Sequence, residues 1–163
     1  MRKTFVIIKP DAVNRSLIGR VITRFEEKGL RIAALKMEHL KGDIIDAHYS
    51  HIADKPFFAE IKNYISSIPC ILMVVEGKDA INVVRKLVGI TCGRNADIGT
   101  IRGDFSMSVQ SNIVHASENE EQAKIEIKRF FKEEEIKDYK RMDFNLLYTK
   151  IEKEPYKEWW IND

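Results

Sequence analysis

Apolar residues along the chain alternate between compact runs and helix-like spacing. Runs rich in apolar residues predict strands at residues 4–8, 31–38, 70–75 and 111–114. Apolar residues that recur at about every third or fourth position predict helices at residues 18–25, 43–50, 57–65, 80–87 and 118–131. The pattern therefore predicts strands and helices in near-regular alternation.

Residues at the ends of these segments support the same division. Gly29 and Gly89 directly follow two predicted helices, which is where helix-terminating glycines occur. Ser117 and Glu120 have the spacing of a capping box at the start of the last helix. We therefore expect that helix to begin directly after Ser117.

This order of elements predicts an α+β chain. The expected fold is a ferredoxin-like α/β sandwich, in which helices pack on one side of a four-stranded antiparallel sheet. We expect residues 1–149 to form a single domain. Residues 150–163 form a charged tail with Trp159 and Trp160, expected to pack on the domain or on a neighbouring subunit.

The segment 90–103 interrupts the pattern. It has no apolar periodicity, and it contains Gly93, Gly99 and Gly103. A long loop inside a compact domain is uncommon, and such loops are usually functional or disordered. The sequence alone leaves both possibilities open.

Composition and charge narrow the class of protein. The 163 residues are 44% hydrophobic and 32% charged, which is typical of a soluble globular domain. The longest apolar run, residues 70–75, is too short to cross a bilayer and no signal peptide is recognisable, so we expect a cytoplasmic protein without a membrane partner. Cys70 and Cys92 lie outside metal-binding spacings and are expected to be free thiols. A net charge of +2 gives no general attraction to nucleic acid, so any anion site must be a local cluster of cations.

One histidine, His115, lies just before the predicted helix start at Ser117. The N-terminus of a helix has unpaired N–H groups and partial positive charge, so it favours an anion. A neutral imidazole beside such an end can act as a nucleophile toward a phosphoryl group. A cap or a packed surface residue is the simpler alternative for His115 taken alone.

Phosphoryl chemistry needs cationic donors that converge on the transferred group. The candidates are Lys9 at the end of a strand, Arg85 on a helix and Arg102 at the end of the long loop. Each has an ordinary alternative: a solvated strand end, a helix face, and an ion pair with Asp104. They are candidates together because strand ends, loop and His115 can share one edge of the sheet.

Other catalytic patterns are absent from the sequence or incomplete. There is no P-loop and no Gly-x-Ser-x-Gly nucleophile elbow. His48 and His51 have a spacing that can bind metal, but no third ligand lies nearby in sequence. Tyr49 and Phe57 offer aromatic faces either to a base or to the core, and the sequence does not distinguish these.

Four stretches together make the chain similar to the nucleoside diphosphate kinase family across nearly all of residues 3–149. They are TFVIIKPD at residues 4–11, HY through KPFF at residues 48–58, GTIRGDF at residues 99–105 and NIVHAS at residues 112–117. Each stretch is short, but their order and spacing are highly specific.

The resemblance implies a role for each site residue. His115 would be the nucleophile that becomes phosphorylated. Nucleotide phosphates and ribose would contact Lys9, Tyr49, Arg85, Thr91, Arg102 and Asn112. The base would stack on Phe57, with Ile61 and Val109 on its other side. Ser117 and Glu126 would support the histidine, Glu126 by holding its tautomer.

The implied reaction is ping-pong transfer through phosphohistidine. The γ-phosphoryl group of ATP or another nucleoside triphosphate would pass to His115 and then to a nucleoside or deoxynucleoside diphosphate, which maintains triphosphate pools. Mg²⁺ would travel with the nucleotide phosphates without a direct protein ligand. The expected assembly is a homo-hexamer, with a tetramer as the alternative.

Two departures from the family pattern bear on these expectations. Residues 116–119 read ASEN where the family usually has GSDS, a change that we expect to be tolerated. Residues 91–93 and 98–100 read TCG and IGT, so two prolines common in the family are absent. Their loss is expected to lower the rigidity of a loop that lies at subunit contacts in the family.

Two other function classes remain open from the sequence. Ferredoxin-like sheets also bind RNA, although the near-neutral charge and the lack of an aromatic strand signature argue against nucleic acid as a partner. A phosphohistidine could also pass its phosphate to a protein. The preferred nucleoside is not specified by the sequence.

Overall fold

A four-stranded antiparallel sheet forms the centre of the computed structural model, which describes residues 1–155. The strands in chain order are β1 (Arg2–Ile8), β2 (Arg31–Glu38), β3 (Cys70–Gly77) and β4 (Val114–Ala116). They lie in the order β2-β3-β1-β4, so β1 and β3 are central. The predicted four-stranded antiparallel sheet is confirmed.

Helices make most of the connections between the strands and continue beyond β4. They are α1 (Pro10–Asn14), α2 (Ile18–Glu27), α3 (Asp43–His48), α4 (Phe58–Ile65), α5 (Ala80–Val88), α6 (Ile101–Phe105), α7 (Glu120–Phe130), α8 (Phe144–Leu147) and α9 (Lys150–Lys153). Short 3₁₀ turns cover Ser50–Ile52, Gly93–Asn95 and Glu133–Glu135. No helix within residues 1–155 is both long and apolar enough to cross a membrane.

Helices cover both faces of the sheet, so the prediction that they lie on one side is wrong. Successive side chains of a strand point to opposite faces. Val6 and Ile8 of β1 pack in one core with Phe25 of α2, whereas Phe5 and Ile7 pack in a second core. The second core includes Ile45 of α3, Ile65 of α4 and Phe130 of α7. Residues 5–8 are apolar without interruption because this central strand is buried on both faces.

The strand that carries His115 begins later than predicted. β4 starts at Val114 rather than at residue 111, and His115 pairs with Ile7 of β1. Just before it, Ile113 adopts a left-handed backbone conformation with φ 70°. A β-branched residue rarely adopts this conformation, and a residue in this conformation interrupts a strand. Residues 111–113 therefore belong to the turn that precedes β4.

The predicted capping box at Ser117 is wrong. Asn119 caps α7 instead, because its Oδ1 accepts a hydrogen bond from the backbone N–H of Gln122 at 2.9 Å. Ser117 is fully buried, and its hydroxyl contacts Phe5 of β1 and Glu126 of α7. Ser117 therefore joins the sheet to the helix.

Residues 90–103 are ordered by a few specific contacts. Asp104 accepts hydrogen bonds from Arg24 at 2.8 Å and from the backbone N–H of Gly99 at 2.7 Å. At Gly103 a Cβ atom would lie 2.0 Å from the carbonyl oxygen of Asp97, so only glycine fits there. Hydrogen bonds from outside the loop thus constrain it where the family's prolines are absent.

The start of the predicted tail contacts the rest of the chain. Residues 150–153 form α9, and Glu152 within this helix pairs with Lys78 at 3.0 Å. The expectation for Trp159 and Trp160 concerns residues that lie outside the described part of the chain.

Candidate active site

A cavity of about 800 Å³ lies where β4, the loop before α6 and helices α3 to α5 meet. Among the residues that line it are Lys9, Tyr49, Phe57, Ile61, Arg85, Thr91, Arg102, Val109, Asn112, His115 and Glu126. Ser117, the remaining predicted site residue, is buried directly behind Glu126. The fold therefore brings residues from many separate segments to one place.

His115 is held by a short chain of hydrogen bonds. Its Nε2 lies 2.9 Å from Oε1 of Glu126, and Oε2 of Glu126 accepts a hydrogen bond from Ser117. Burial alone would raise the pKa of Glu126, but hydrogen bonds from His115 and Ser117 outweigh it and lower that pKa. Glu126 is therefore a carboxylate that accepts the Nε2–H of His115, which leaves Nδ1 as the nitrogen with a free lone pair.

A second histidine, His48, lies against the first, which the sequence did not indicate. The two rings meet edge to face with centroids 4.8 Å apart. His48 is buried, and its Nδ1 lies 3.7 Å from Oε1 of Glu126. Burial, reinforced by His115, lowers the pKa of His48 to about 3, so its ring is neutral. The spacing of His48 and His51 lacked a third metal ligand in sequence, and the groups of metal-binding type that lie around His48 are His115 and Glu126.

Arg102 is fixed in the wall of the cavity. Its guanidinium donates to the carbonyl oxygens of Gly89 at 2.9 Å, Val114 at 2.7 Å and Asn112 at 3.3 Å. Burial, together with Arg85, lowers the pKa of Arg102 to about 10. Asp104 pairs with Arg24, so the alternative of an Arg102–Asp104 ion pair is wrong.

Lys9 completes a group of cations with few compensating carboxylates. Its Nζ donates to Oδ1 of Asn112 at 2.7 Å and to the carbonyl of Gln110 at 3.3 Å. Burial and the neighbouring Arg102 lower the pKa of Lys9 to about 8. Cations that depress one another's pKa favour an anion between them. This is the electrostatic signature of a phosphate site.

Asn112 has a structural role in addition to its predicted contact with the nucleotide. Its amide nitrogen donates to the carbonyls of Thr91 at 3.0 Å and Val109 at 2.7 Å. It is buried, and its oxygen receives Lys9. Asn112 therefore joins the loop at residue 91 to the turn that leads into β4.

Asp11 and Tyr64 form a further support that the sequence did not reveal. The hydroxyl of Tyr64 donates to one oxygen of Asp11, and the other oxygen accepts the backbone N–H of Ile113 at 3.0 Å. Residues 11 and 113 are far apart in sequence, so no local pattern marks this contact. The pair holds the strained residue that directly precedes β4.

The far end of the cavity is apolar and open. Phe57 and Val109 there are 46% and 53% exposed, although both are large hydrophobic residues. Ile61 also lines the cavity. Exposed apolar faces at the mouth of a polar cavity suit a planar, stackable group.

The cavity suits Mg²⁺ as an ion carried by phosphates. Within residues 1–155 the one cluster of three metal-type ligands is His48, His115 and Glu126, and its two nitrogens do not match the oxygen ligands that Mg²⁺ prefers. Besides Glu126, the carboxylate on the cavity wall is Glu118. An ion held chiefly by phosphate oxygens and water fits these surroundings.

Comparison with known proteins decides the family. The model of the family described as nucleoside diphosphate kinase matches residues 2–136. The chain belongs to the nucleoside diphosphate kinase family. It is 56% identical over 152 residues to the nucleoside diphosphate kinase of Parabacteroides distasonis, across 93% of this chain and 99% of that protein. It is 50% identical over 148 residues to that of Methanobrevibacter smithii, across 91% of this chain and 99% of that one.

Solved structures of family members have the same fold. The halophilic nucleoside diphosphate kinase of Halobacterium salinarum in complex with CDP is 39% identical, with a TM-score of 0.89 over 91% of this chain and 99% of that chain. A nucleoside diphosphate kinase family protein of Babesia bovis is 41% identical, with a TM-score of 0.87 over 91% of this chain and 100% of that chain. The predicted family, enzyme class and fold are confirmed.

Proposed function

We propose that the chain transfers the γ-phosphoryl group of ATP or another nucleoside triphosphate to nucleoside or deoxynucleoside diphosphates through His115. The observation that carries the proposal is the hydrogen bond from Nε2 of His115 to Glu126 in a cavity lined by Lys9, Arg85 and Arg102. It combines a nucleophile of fixed tautomer with cations for a phosphate chain. Relatives that carry this activity in their names cover nearly the whole chain.

The reaction would use the free lone pair of Nδ1. In the first half, Nδ1 attacks the γ-phosphorus, an N–P bond forms, and the bond from phosphorus to the bridging oxygen breaks as the diphosphate leaves. In the second half, a terminal oxygen of another diphosphate attacks the same phosphorus and the N–P bond breaks. The Nε2 proton stays on the hydrogen bond to Glu126, whose negative charge offsets the positive charge of the phosphorylated ring.

Lys9, Arg85 and Arg102 would hold the phosphates. The guanidinium of Arg102 is already fixed by three carbonyl groups, so it needs little reorganisation when charge develops on the transferred group. We infer that Tyr49, Thr91 and Asn112 contact the phosphates and ribose around it. Bound Mg²⁺ would supply further charge neutralisation on the phosphates, with the ion held chiefly by the nucleotide.

The base would lie at the open end of the cavity. Stacking on Phe57, with Ile61 and Val109 beside it, uses a π face that every base has. Broad acceptance of bases is therefore expected. The structure of the Halobacterium salinarum relative in complex with CDP supports a nucleotide as the occupant.

Labelling with γ-³²P ATP tests the proposal. The expected product is a protein-bound label that is lost in acid and stable in alkali, and that excess ADP removes. The His115→Gln variant should take up no label, and the matched variant His39→Gln, altered at an exposed histidine on another surface, should label normally. Folded protein without a label, or a label that persists in His115→Gln, would contradict the proposal.

We further infer a cytoplasmic homo-oligomer of a single domain, with a hexamer expected and a tetramer as the alternative. β2 is an edge strand, and its Leu35 and Met37 are 50% and 56% exposed. Edge strands with exposed apolar side chains readily pair with another chain. This supports subunit association through β2.

A further inference from the structure

His48, Glu126 and His115 bring three metal-binding groups together on one side of the cavity. Each offers one ligand atom, and these atoms all lie within 4.8 Å of one another. Oε1 of Glu126 lies 2.9 Å from Nε2 of His115 and 3.7 Å from Nδ1 of His48. In tetrahedral zinc sites, bonds of about 2.0–2.1 Å place neighbouring ligand atoms roughly 3.3 Å apart. The two observed distances lie on either side of that value.

Hydrogen bonding satisfies His48 only weakly. Its side chain is 2% exposed, and its Nε2 has no hydrogen-bond partner among residues 1–155. On the other nitrogen, Nη1 of Arg129 lies at 3.4 Å, a long contact for a hydrogen bond. A buried imidazole nitrogen that lies 3.7 Å from a carboxylate oxygen, too far for a hydrogen bond between them, is suited to share a cation with it.

We propose that His48, Glu126 and His115 form a site for Zn²⁺, or a divalent cation of similar ligand preference, that inhibits the enzyme. Two imidazole nitrogens and one carboxylate oxygen are a common zinc ligand set, and water from the cavity can complete the coordination. Mg²⁺ favours oxygen ligands in octahedral geometry, so the ion that accompanies the nucleotide does not compete for this cluster.

Occupation of this site blocks the nucleophile through its tautomer. Zinc bound to Nε2 of His115 uses the lone pair of that nitrogen, so the ring proton that Nε2 had carried moves to Nδ1. Nδ1 then has no lone pair with which to attack phosphorus. Glu126 is occupied at the same time and no longer accepts the Nε2 proton. This inhibitory part rests on the proposed function, whereas zinc binding itself does not.

Arg129 sets the affinity of the site. Its guanidinium lies 3.4 Å from Nδ1 of His48, and it opposes a second positive charge there. Removing this charge should therefore strengthen zinc binding. Loss of His48 should weaken it. The two variants change the affinity in opposite directions, so general loss of structure cannot imitate both results.

Calorimetric titration of the chelator-treated full-length protein with zinc chloride, without nucleotide, tests the site. Wild-type protein should bind one zinc ion per chain. His48→Gln should weaken binding by at least about tenfold, since even changes to groups outside the ligand set of a metal cost ten- to a hundredfold. Arg129→Met should bind several-fold more tightly.

Matched controls exclude binding elsewhere. His39→Gln and Cys92→Ser alter an exposed histidine and a partly exposed thiol outside the cluster, and both should bind zinc as wild type does. No saturable binding, or equal binding by wild type and His48→Gln, would overturn the site.

Inhibition is measured separately. Zinc in a buffered free concentration should reduce the rate of His115 labelling by γ-³²P ATP in the presence of Mg²⁺, and a zinc-selective chelator that leaves Mg²⁺ free should restore it. Arg129→Met should need less zinc for the same loss. Zinc binding that leaves labelling unchanged would overturn the inhibitory role. If wild type takes up no label even without zinc, the proposed function fails, while calorimetry still decides the metal site.

Discussion

Ile113 adopts a strained backbone conformation directly before the strand that carries His115. Such a conformation in a non-glycine residue costs about 1–3 kcal/mol and persists only where its surroundings enforce it. Here the carboxylate of Asp11 accepts a hydrogen bond from the N–H of Ile113, and the carbonyl of Ile113 accepts one from the N–H of Lys9 at 2.9 Å. Tyr64 fixes Asp11 in turn. We infer that these residues orient Asn112 and His115 on either side of the turn.

Tyr64→Phe tests this support. Loss of the hydroxyl frees Asp11 to rotate, so the turn at Ile113 relaxes and His115 shifts. Because a misplacement of about 1 Å can cost roughly a hundredfold in rate, we expect a smaller shift to slow single-turnover labelling of His115 by about tenfold. Tyr139→Phe removes a hydroxyl that bonds to Ile32 on another surface and should label at the wild-type rate. Equal rates for the two variants would show that Asp11 needs no support from Tyr64.

Lys9 should make nucleotide binding depend on pH. Its pKa is lowered to about 8, chiefly by burial, so the free protein carries this cation below pH 8 and loses it above. Bound phosphate favours the charged form, so affinity for ADP should fall as pH rises above 8, with a limit of about tenfold per pH unit. Calorimetry from pH 7 to about 9.5 measures this. Lys9→Arg keeps its charge and should show a smaller fall; identical profiles would contradict the assignment.

Ser117 shows why a local sequence pattern can assign the wrong role to a single residue. The spacing of Ser117 and Glu120 fits a capping box, but the hydroxyl is used by Glu126 and Phe5 instead. A capping-box pattern spans four residues, so it cannot show that the carboxylate of Glu126, nine residues further along, accepts the hydrogen bond of the Ser117 hydroxyl. The role of Glu126 came from family resemblance, and the structure supplies the contact that supports it.

At the level of elements, the junction of α5 with the following loop fixes Arg102. Gly89 ends α5 with φ 84°, and its carbonyl accepts from Arg102 at 2.9 Å. A Cβ atom at Gly89 would lie 2.5 Å from Oγ1 of Thr100, which caps α6. Both the conformation and the space therefore require glycine.

Gly89→Ala should destabilise the protein and displace Arg102. The strained conformation alone costs about 1–3 kcal/mol, and the contact with Thr100 adds to it. Gly19→Ala is the matched control, because Gly19 lies inside α2 and a Cβ there meets nothing within 4 Å. It should stabilise the protein by roughly 0.5–1 kcal/mol. Urea unfolding measures the free energy of unfolding of both variants. A Gly89→Ala variant as stable as wild type would contradict the requirement for glycine at the end of α5.

Elements with regular periodicity could be predicted, and those held by isolated long-range contacts could not. The apolar runs of β1 and β3 predict these strands. Because both strands are buried on both faces, their sequences do not show which helices pack on which face of the sheet. Residues 90–103 lack periodicity because Arg24, from α2, anchors the loop through Asp104. A single contact between distant residues leaves no repeating pattern in sequence.

At the scale of the whole molecule, the proposed subunit association rests on the exposed apolar side chains Leu35 and Met37 of the edge strand β2. Replacing both Leu35 and Met37 with lysine places charge on the same face of this strand, and edge lysines oppose pairing. Light scattering with size-exclusion chromatography should then show a smaller species than wild type. Met142→Lys changes a side chain that is 91% exposed elsewhere and should leave the size unchanged. A double variant of wild-type size would contradict association through β2.

The net charge of +2 does not indicate an anion-binding site. The cations proposed to bind phosphate are a small local group that lines one cavity. We propose that Nδ1 of His115 attacks phosphorus while Nε2 keeps its hydrogen bond to Glu126. Long-range ¹H–¹⁵N and ³¹P spectra of the phosphorylated protein test it most directly. We predict one phosphoryl group on Nδ1 of His115, discharged completely by a nucleoside diphosphate. Phosphorus on Nε2, or on any other residue, would contradict the account.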